Sequence, residues 1–232
     1  MTKISSKVTL LIIAIILVDQ ILKIWIKTNM HYSEGFNMLG LSWAKIHFVE
    51  NEGMAFGWKL DHQYGKLLLS LFRIVAIGFL GFYIKTLIKE KQPFKLIICF
   101  ALIMAGAIGN MIDSAFYGLL FTESTPFQIA EWANKTGSSG YANFLYGKVV
   151  DMFYFPMIDT YLPDWVPFFG ETRVQFFRPV FNVADVAISV GIFSFLLFNF
   201  DFLKNGKATE KKEGGEEASS SEKDKEVSPP RD

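Results

Sequence analysis

Four stretches of this chain stay apolar for the roughly 20 residues that a helix needs to cross a hydrocarbon core about 30 Å thick. They run over about 8–26, 67–88, 94–116 and 180–203, and the first opens with the run Val8 to Val18, apolar except for Thr9. None alternates with period two, which a strand of a closed membrane barrel would require. Composition agrees: of 232 residues 51% are hydrophobic and 24 are Phe, too apolar for an ordinary soluble domain. Formal charge balances at zero. Seven basic and eight acidic residues fall in 204–232, so the body is also near balance and carries no basic stripe for a phosphate backbone. A nucleic-acid partner is therefore not expected. The lone cysteine, Cys99, excludes an internal disulfide and a Cys-rich metal cluster, and no function is assigned to it. The pattern predicts an all-α membrane protein, a four-transmembrane-helix bundle with a small, partly β outer (periplasmic) subdomain.

The short connections set the orientation. Lys85, Lys89, Lys91 and Lys95 crowd the link between the second and third spans against one acid, Glu90. Lys3 and Lys7 precede the first span, and Lys204, Lys207, Lys211 and Lys212 follow the fourth. The excess of cations on cytoplasmic loops then places both termini in the cytoplasm. Lys23 and Lys27, at the outer end of the first span, run against that rule and are expected to snorkel toward the lipid surface. The first span has no small-residue cleavage site and is interrupted by Asp19, so it is read as uncleaved. The longer connections, about 27–66 and 117–179, face outward, and their Trp, Tyr and Phe suit the lipid–water boundary. Loose alternation over Ser42 to Val49 predicts a short strand pair. The Glu-, Lys- and Ser-rich tail 204–232 cannot bury a core and is expected to be disordered. The domain expectation is a four-span body, 1–203, followed by a charged cytoplasmic tail.

Ionisable groups inside a span cost several kcal/mol on some scales and at least about 2.5 on others, so each requires a reason. Asp19 lies in the first span and Arg73 in the second. Asn110 and Asp113 lie near the outer end of the third, Asn182 and Asp185 near the start of the fourth, and Asp151 in the second outward connection. Asn110/Asp113 and Asn182/Asp185 are both spaced i,i+3, which puts each amide beside a carboxyl on one helical face. His31, His47 and His62 lack metal-ligand spacing, and no serine-protease pattern occurs. Two aspartates sharing a proton need neither metal nor serine. One carboxylate takes a proton from water while the other, protonated, polarises a scissile carbonyl. On spacing alone, Asp113 and Asp151 are equally good partners for Asp185.

Five segments in order resemble the bacterial lipoprotein signal peptidases (signal peptidase II, an aspartic peptidase family). They are Val18-Asp19-Gln20; Asn51-Glu52-Gly53-Met54-Ala55-Phe56-Gly57; Ala105-Gly106-Ala107-Ile108-Gly109-Asn110-Met111-Ile112-Asp113; Val149-Val150-Asp151; and Phe181-Asn182-Val183-Ala184-Asp185. The resemblance covers about 8–203. It implies an integral-membrane endopeptidase that removes the signal peptide from diacylglyceryl-modified prolipoproteins, cutting before the lipid-carrying Cys. The implied catalytic pair is Asp151 and Asp185. Asp19, Asn51, Gly53, Arg73, Asn110, Asp113, Asn182 and Ala184 are the expected supporting and substrate-binding residues. No metal or other cofactor is implied. Expected partners are the prolipoprotein and membrane lipids, with a monomeric protein in the bacterial cytoplasmic (inner) membrane and its active site near the outer leaflet.

Asp19 is expected to clamp the first span to the segment around Asn51. Asn51 itself is expected to hold the substrate backbone, with Gly53 and Gly57 allowing close approach. Two departures from the family pattern stand out. Ser114 follows Asp113 where the family places Arg, leaving Arg73 or Arg178 to supply the cation. The spacing from Asp151 to Asp185 is also long, and Pro156 to Arg178 reads as an outward insertion. Competing readings are a small transporter or proton relay built on the intramembrane aspartates, and a non-catalytic lipopeptide scaffold, against which the intact aspartate pair argues.

Overall fold

The computed structural model describes residues 3–52, 62–161, 164–165, 172–176 and 179–198. Gly53, Gly57, Arg178 and the tail 204–232 lie outside the described residues. In chain order the elements are α1 (Lys3–Asn29), β1 (Gly35–Asn37), β2 (Lys45–Asn51), α2 (His62–Lys89), α3 (Phe94–Ile112), a π-helical turn (Asp113–Tyr117), α4 (Gly118–Leu120), α5 (Ala133–Thr136), β3 (Val149–Tyr154), β4 (Ile158–Tyr161), β5 (Arg173–Phe176), β6 (Val180–Phe181) and α6 (Val183–Phe198). The chain divides into two compact units, Met1–Gly191 and Ile192–Asp232. The described part of the second is the helical run 192–198.

Among the described residues, three helices are long and apolar enough to cross a membrane: Lys3–Asn29, Gly65–Lys89 and Phe94–Leu120. They overrun the spans expected from sequence by a few residues at several ends. The expected fourth span is described as helix only over Val183–Phe198, sixteen apolar-rich residues. At about 1.5 Å per residue that length falls short of a full crossing, and 199–203 lie outside the described residues.

The first span follows the logic of a lipid solvent. Leu10, Ile13, Leu17, Ile21 and Trp25 face outward, while Asp19, Lys23 and Lys27 are each 0% exposed. Those three polar positions are four residues apart, so they form one stripe along the helix. Its lysines do not snorkel: Lys23 and Lys27 are inside, each held by carboxylates. The stripe faces α3 and the sheet, against which α1 packs.

A four-stranded antiparallel sheet, in the order β1-β2-β3-β6, covers one end of the helices. The predicted strand pair exists, although β2 begins at Lys45 and runs on to Asn51. A register shift between Ile46 and Val49 separates two runs of β2–β3 pairing, the second matching Val49 to Asp151 and Asn51 to Val149. Asp151 thus sits in a strand, within a connection read from sequence only as an outward segment. The insertion contains a separate two-stranded hairpin, β4–β5, with Ile158 opposite Phe176. Ile26 of α1 and Met30 just past its end, Phe48 of β2, Tyr117 and Phe121 beyond α3, and Val150 and Met152 of β3 close an apolar core under the sheet.

Candidate active site

The start of α6 is built by a reciprocal cap. The Asp185 backbone N–H donates to Asn182 Oδ1 at 2.9 Å, and the Asn182 backbone N–H donates to Asp185 Oδ2 at 3.2 Å. This is the capping-box arrangement, in which two orphan donors of a helix start are satisfied by residues three apart. It gives the Asn182/Asp185 spacing a local physical cause. With its oxygen used in the cap, Asn182 still has an amide donor. That nitrogen lies 2.7 Å from Asp151 Oδ1, 3.1 Å from Asn110 Oδ1 and 3.3 Å from the Val150 carbonyl. Asn110 in turn donates to Asp185 Oδ1 at 2.8 Å. Asp151 and Asp185, from a strand and a helix start, are therefore tied to the same buried residue, Asn182.

Asp151 is 4% exposed. Burial, reinforced by the neighbouring Asp185 carboxylate, pushes its carboxyl up to about 7. Hydrogen bonds from Asn182 and Asn51, together with the Lys23 charge, pull in the opposite direction. A carboxyl that ionises near neutrality beside a second carboxyl suits the sharing of one proton.

Asp113, the other candidate partner for Asp185, is otherwise engaged. It accepts from Gln20 at 2.9 Å and from the Val150 backbone N–H at 3.2 Å, and pairs with Lys23 at 2.9 Å. Lys23 also pairs with Asp19 at 2.9 Å and donates to Asn110 at 2.9 Å. One ammonium thus holds Asp19, Asp113 and Asn110 together, and Asn110 passes that constraint to Asp185. Asp19 takes the Ala184 backbone N–H at 2.9 Å, joining α1 to the start of α6. The expected clamp from Asp19 to the segment around Asn51 is not what is observed. Lys27 makes that link, paired with Glu50 next to Asn51, because it lies two turns further along the buried stripe than Asp19.

Close helix approach completes the frame. A Cβ on Gly106 would lie 2.2 Å from the Ala184 carbonyl oxygen, and one on Gly109 would lie 2.8 Å from Asp19 Oδ2. Only glycine lets α3 come this near to α6 and to the Asp19 carboxylate, which accounts for these two members of the third motif. Ala184 is buried in the same contact.

Just past α3 the backbone widens into the π turn, a feature frequent at functional sites. Its Ser114 and Ala115 carbonyls accept from Gly147 at 2.8 Å and Leu145 at 3.3 Å. Leu145 holds φ at +71°, a conformation unusual for a branched side chain, and its carbonyl accepts from Ser70 at 3.0 Å. Arg73, one turn beyond Ser70 on α2, donates to Ser114 Oγ at 2.8 Å. The position where the family pattern places a cation is therefore met by a cation from the neighbouring helix, whose charge also reaches Asp185, Asp113 and Asp151.

The sequence expectations named Asp19, Asn51, Arg73, Asn110, Asp113, Asp151, Asn182, Ala184 and Asp185, and the structure brings these into one neighbourhood. Gly53 lies outside the described residues. Sequence reasoning did not assign roles to Gln20, Lys23, Ser114 or Tyr117. Tyr117 donates to Gln20 Oε1 at 3.1 Å, which orients the amide that reaches Asp113. The i,i+4 spacing of Asp19 and Lys23 was the available signal.

The family model described as signal peptidase (SPase) II matches residues 11–201. A lipoprotein signal peptidase of Porphyromonas gingivalis is 45% identical over 206 residues, covering 87% of this chain and 88% of that protein. One of Amoebophilus asiaticus is 37% identical over 180 residues, covering 76% and 70%. A solved bacterial membrane enzyme, determined at 2.3 Å by the in meso method, superposes with a TM-score of 0.51 over 86% of this chain and 91% of its own, at 19% identity. That last likeness concerns the fold alone.

Proposed function

We propose, from the premise that this chain belongs to the signal peptidase II family, that Asp151 and Asp185 are the catalytic pair of a membrane peptidase acting on prolipoproteins. The observation that carries this reading is that one buried residue, Asn182, reaches both carboxyls, its side-chain amide donating to Asp151 and its backbone N–H to Asp185. The chain is a lipoprotein signal peptidase of the aspartic type and a bacterial membrane protein; these relatives do not favour a transporter or proton relay.

The chemistry follows from the geometry. Between them the two carboxyls hold one proton. The ionised member removes a proton from a water molecule, which attacks the scissile carbonyl carbon. The protonated member donates to the carbonyl oxygen as it becomes an alkoxide. Collapse of the tetrahedral intermediate returns that proton toward the departing amine, and the pair is restored after product release. The proton belongs to the pair, not to either residue. Asn182 and Asn110 hold the carboxyls while their charge alternates, since an amide both donates and accepts. Lys23, Asp19 and Asp113 fix Asn110 and the start of α6. Asn51, exposed at the end of β2 and hydrogen-bonded to Asp151, binds the substrate backbone in this reading. Arg73 supplies positive charge near the developing alkoxide.

The substrate is a diacylglyceryl-modified precursor, cut on the amino side of its lipid-carrying Cys. Its acyl chains remain in lipid while the signal helix enters between spans. In this reading residues 1–203 form one four-span domain with α6 as the fourth crossing, both termini are cytoplasmic, and the reaction takes place near the outer leaflet. The protein works as a monomer, without metal or organic cofactor, and 204–232 is a cytoplasmic tail. The test is incubation of purified protein with a lipidated precursor and mass analysis of the products. A single cut immediately before the modified Cys is expected, with at least a thousandfold preference over the unlipidated precursor. Indifference to lipidation, or a cut elsewhere, would refute the substrate assignment.

A further inference from the structure

At the end of the helices away from the sheet, α1, α2 and α3 leave an open cavity of about 230 Å³ between them. Its walls are apolar: Val8 and Ile12 of α1 and Ile84 and Ile88 of α2. Its mouth is polar, with Ser5 and the exposed Lys85. The catalytic frame takes no part in it, since Val8 precedes Asp19 by eleven residues, about 16 Å along a helix. The same ends of α1, α2 and α3 also carry Lys3, Lys7, Lys89, Lys91 and Lys95, all exposed, with Glu90 the one acid in the α2–α3 link.

An apolar slot between spans, with Lys85 at its mouth and further lysines at the same ends of the helices, combines the two halves of a phospholipid's chemistry. Basic pockets between transmembrane helices are suited to anionic head groups, and each cation near such a surface adds to the attraction. A hydrophobic peptide is the weaker occupant. The leading segment of a signal peptide is itself positively charged and would be repelled at this mouth.

We infer that this groove is a binding site for an anionic phospholipid, with one acyl chain lying between Val8, Ile12, Ile84 and Ile88 and the head-group phosphate meeting Lys85. The site is separate from the peptidase centre and does not depend on which aspartates are catalytic. It ties one lipid to the seam where three spans meet.

Two substitutions isolate the site. Lys85→Glu reverses the charge at an exposed position. Gly81→Leu fills the slot from within: a Cβ on Gly81 meets only Met104 Cε, at 3.6 Å, so the larger side chain is accommodated. Full-length protein in detergent is mixed with equal amounts of phosphatidylglycerol and phosphatidylcholine, and retained lipid is counted by native mass spectrometry. One phosphatidylglycerol per chain is expected, held at least tenfold more strongly than phosphatidylcholine. Lys85→Glu should remove that preference and Gly81→Leu should remove the bound lipid. Both variants should still cleave precursor in detergent at the wild-type rate, which reports that they fold. Equal retention of the two lipids, or unchanged phosphatidylglycerol binding in both variants, would overturn the inference. So would displacement of the lipid by a signal-peptide segment, or a dimer that Gly81→Leu abolishes, since either makes the groove a protein-docking surface.

Discussion

A buried carboxyl that titrates near neutrality has consequences at two levels, both read at Asp151. Its folded pKa, about 7, stands above the ordinary carboxylate value of 3.8. Relative to acid conditions, the folded state therefore loses stability as pH rises from about 4 to about 7, and the penalty is full above that. Asp151→Asn removes the penalty while keeping an acceptor for Asn182. It is expected to raise the melting temperature in detergent by a few degrees at pH 8 and to leave it nearly unchanged near pH 4. The catalytic reading adds a second consequence. Once both carboxyls are ionised no proton remains for the substrate carbonyl, so kcat/KM for precursor cleavage should fall about tenfold per unit above about pH 7. A rate level from pH 7 to 9 would contradict the shared proton. Lys23 is the next residue to test, because its ammonium sits against both Asp19 and Asp113. Lys23→Met leaves two buried carboxylates without their cation and should cost about 3–5 kcal/mol in thermal or denaturant unfolding. Adding Asp113→Asn should recover part of that loss, the coupling that marks a shared network.

Among the elements, α3 and α6 depend on contact closer than any side chain allows. A Cβ on Gly106 would meet backbone at 2.2 Å, whereas one on Gly78, on the outer face of α2, would meet nothing within 4 Å. Gly106→Val is expected to abolish both folding yield and cleavage, and Gly78→Ala to leave both unchanged, measured as detergent-extracted monodisperse protein and precursor turnover. Much of this frame could be read in advance. Long apolar runs announced four spans, of which three are membrane-capable helices among the described residues, and the i,i+3 spacing of Asn182 and Asp185 turned out to be a helix cap as well as a shared face. The lysines were misread for a specific reason. A cation at the end of a span looks the same in sequence whether it points to lipid head groups or inward. What decides the matter for Lys23 is Asp113, ninety residues later in the chain. The strand around Asp151 had a faint signal in its β-branched and aromatic neighbours, Val149, Val150, Phe153 and Tyr154, but its partner β2 lies a hundred residues upstream. Nothing local marks the π turn or the reach of Arg73 to Ser114, since both are settled by what packs across from them.

For the molecule as a whole, the helices reverse the usual arrangement of a soluble protein, with apolar side chains outward and a charged stripe inside. The stripe is the feature that lets a bilayer protein assemble a buried polar cluster. Lys23 and Lys27 anchor it on one span, Asn110 and Asp113 meet it from a second, and Asn182 and Asp185 close it from the start of a third helix. Asp151 arrives from the sheet. Each group is satisfied by partners from other elements, so the centre exists only when the whole frame is folded. The resemblance named Asp151 and Asp185 as the pair, and the hydrogen bonds of Asn182 and Asn110 explain how these two side chains come to share one network. The most direct test of the account is a kinetic cycle on purified, lipid-reconstituted protein with a lipidated precursor, comparing Asp151→Asn, Asp185→Asn and the double variant. If the two carboxyls act as one unit, each single substitution lowers kcat by about 10⁴ and the double variant is no worse than either. Losses that multiply in the double variant, or a single variant within tenfold of wild type, would contradict it.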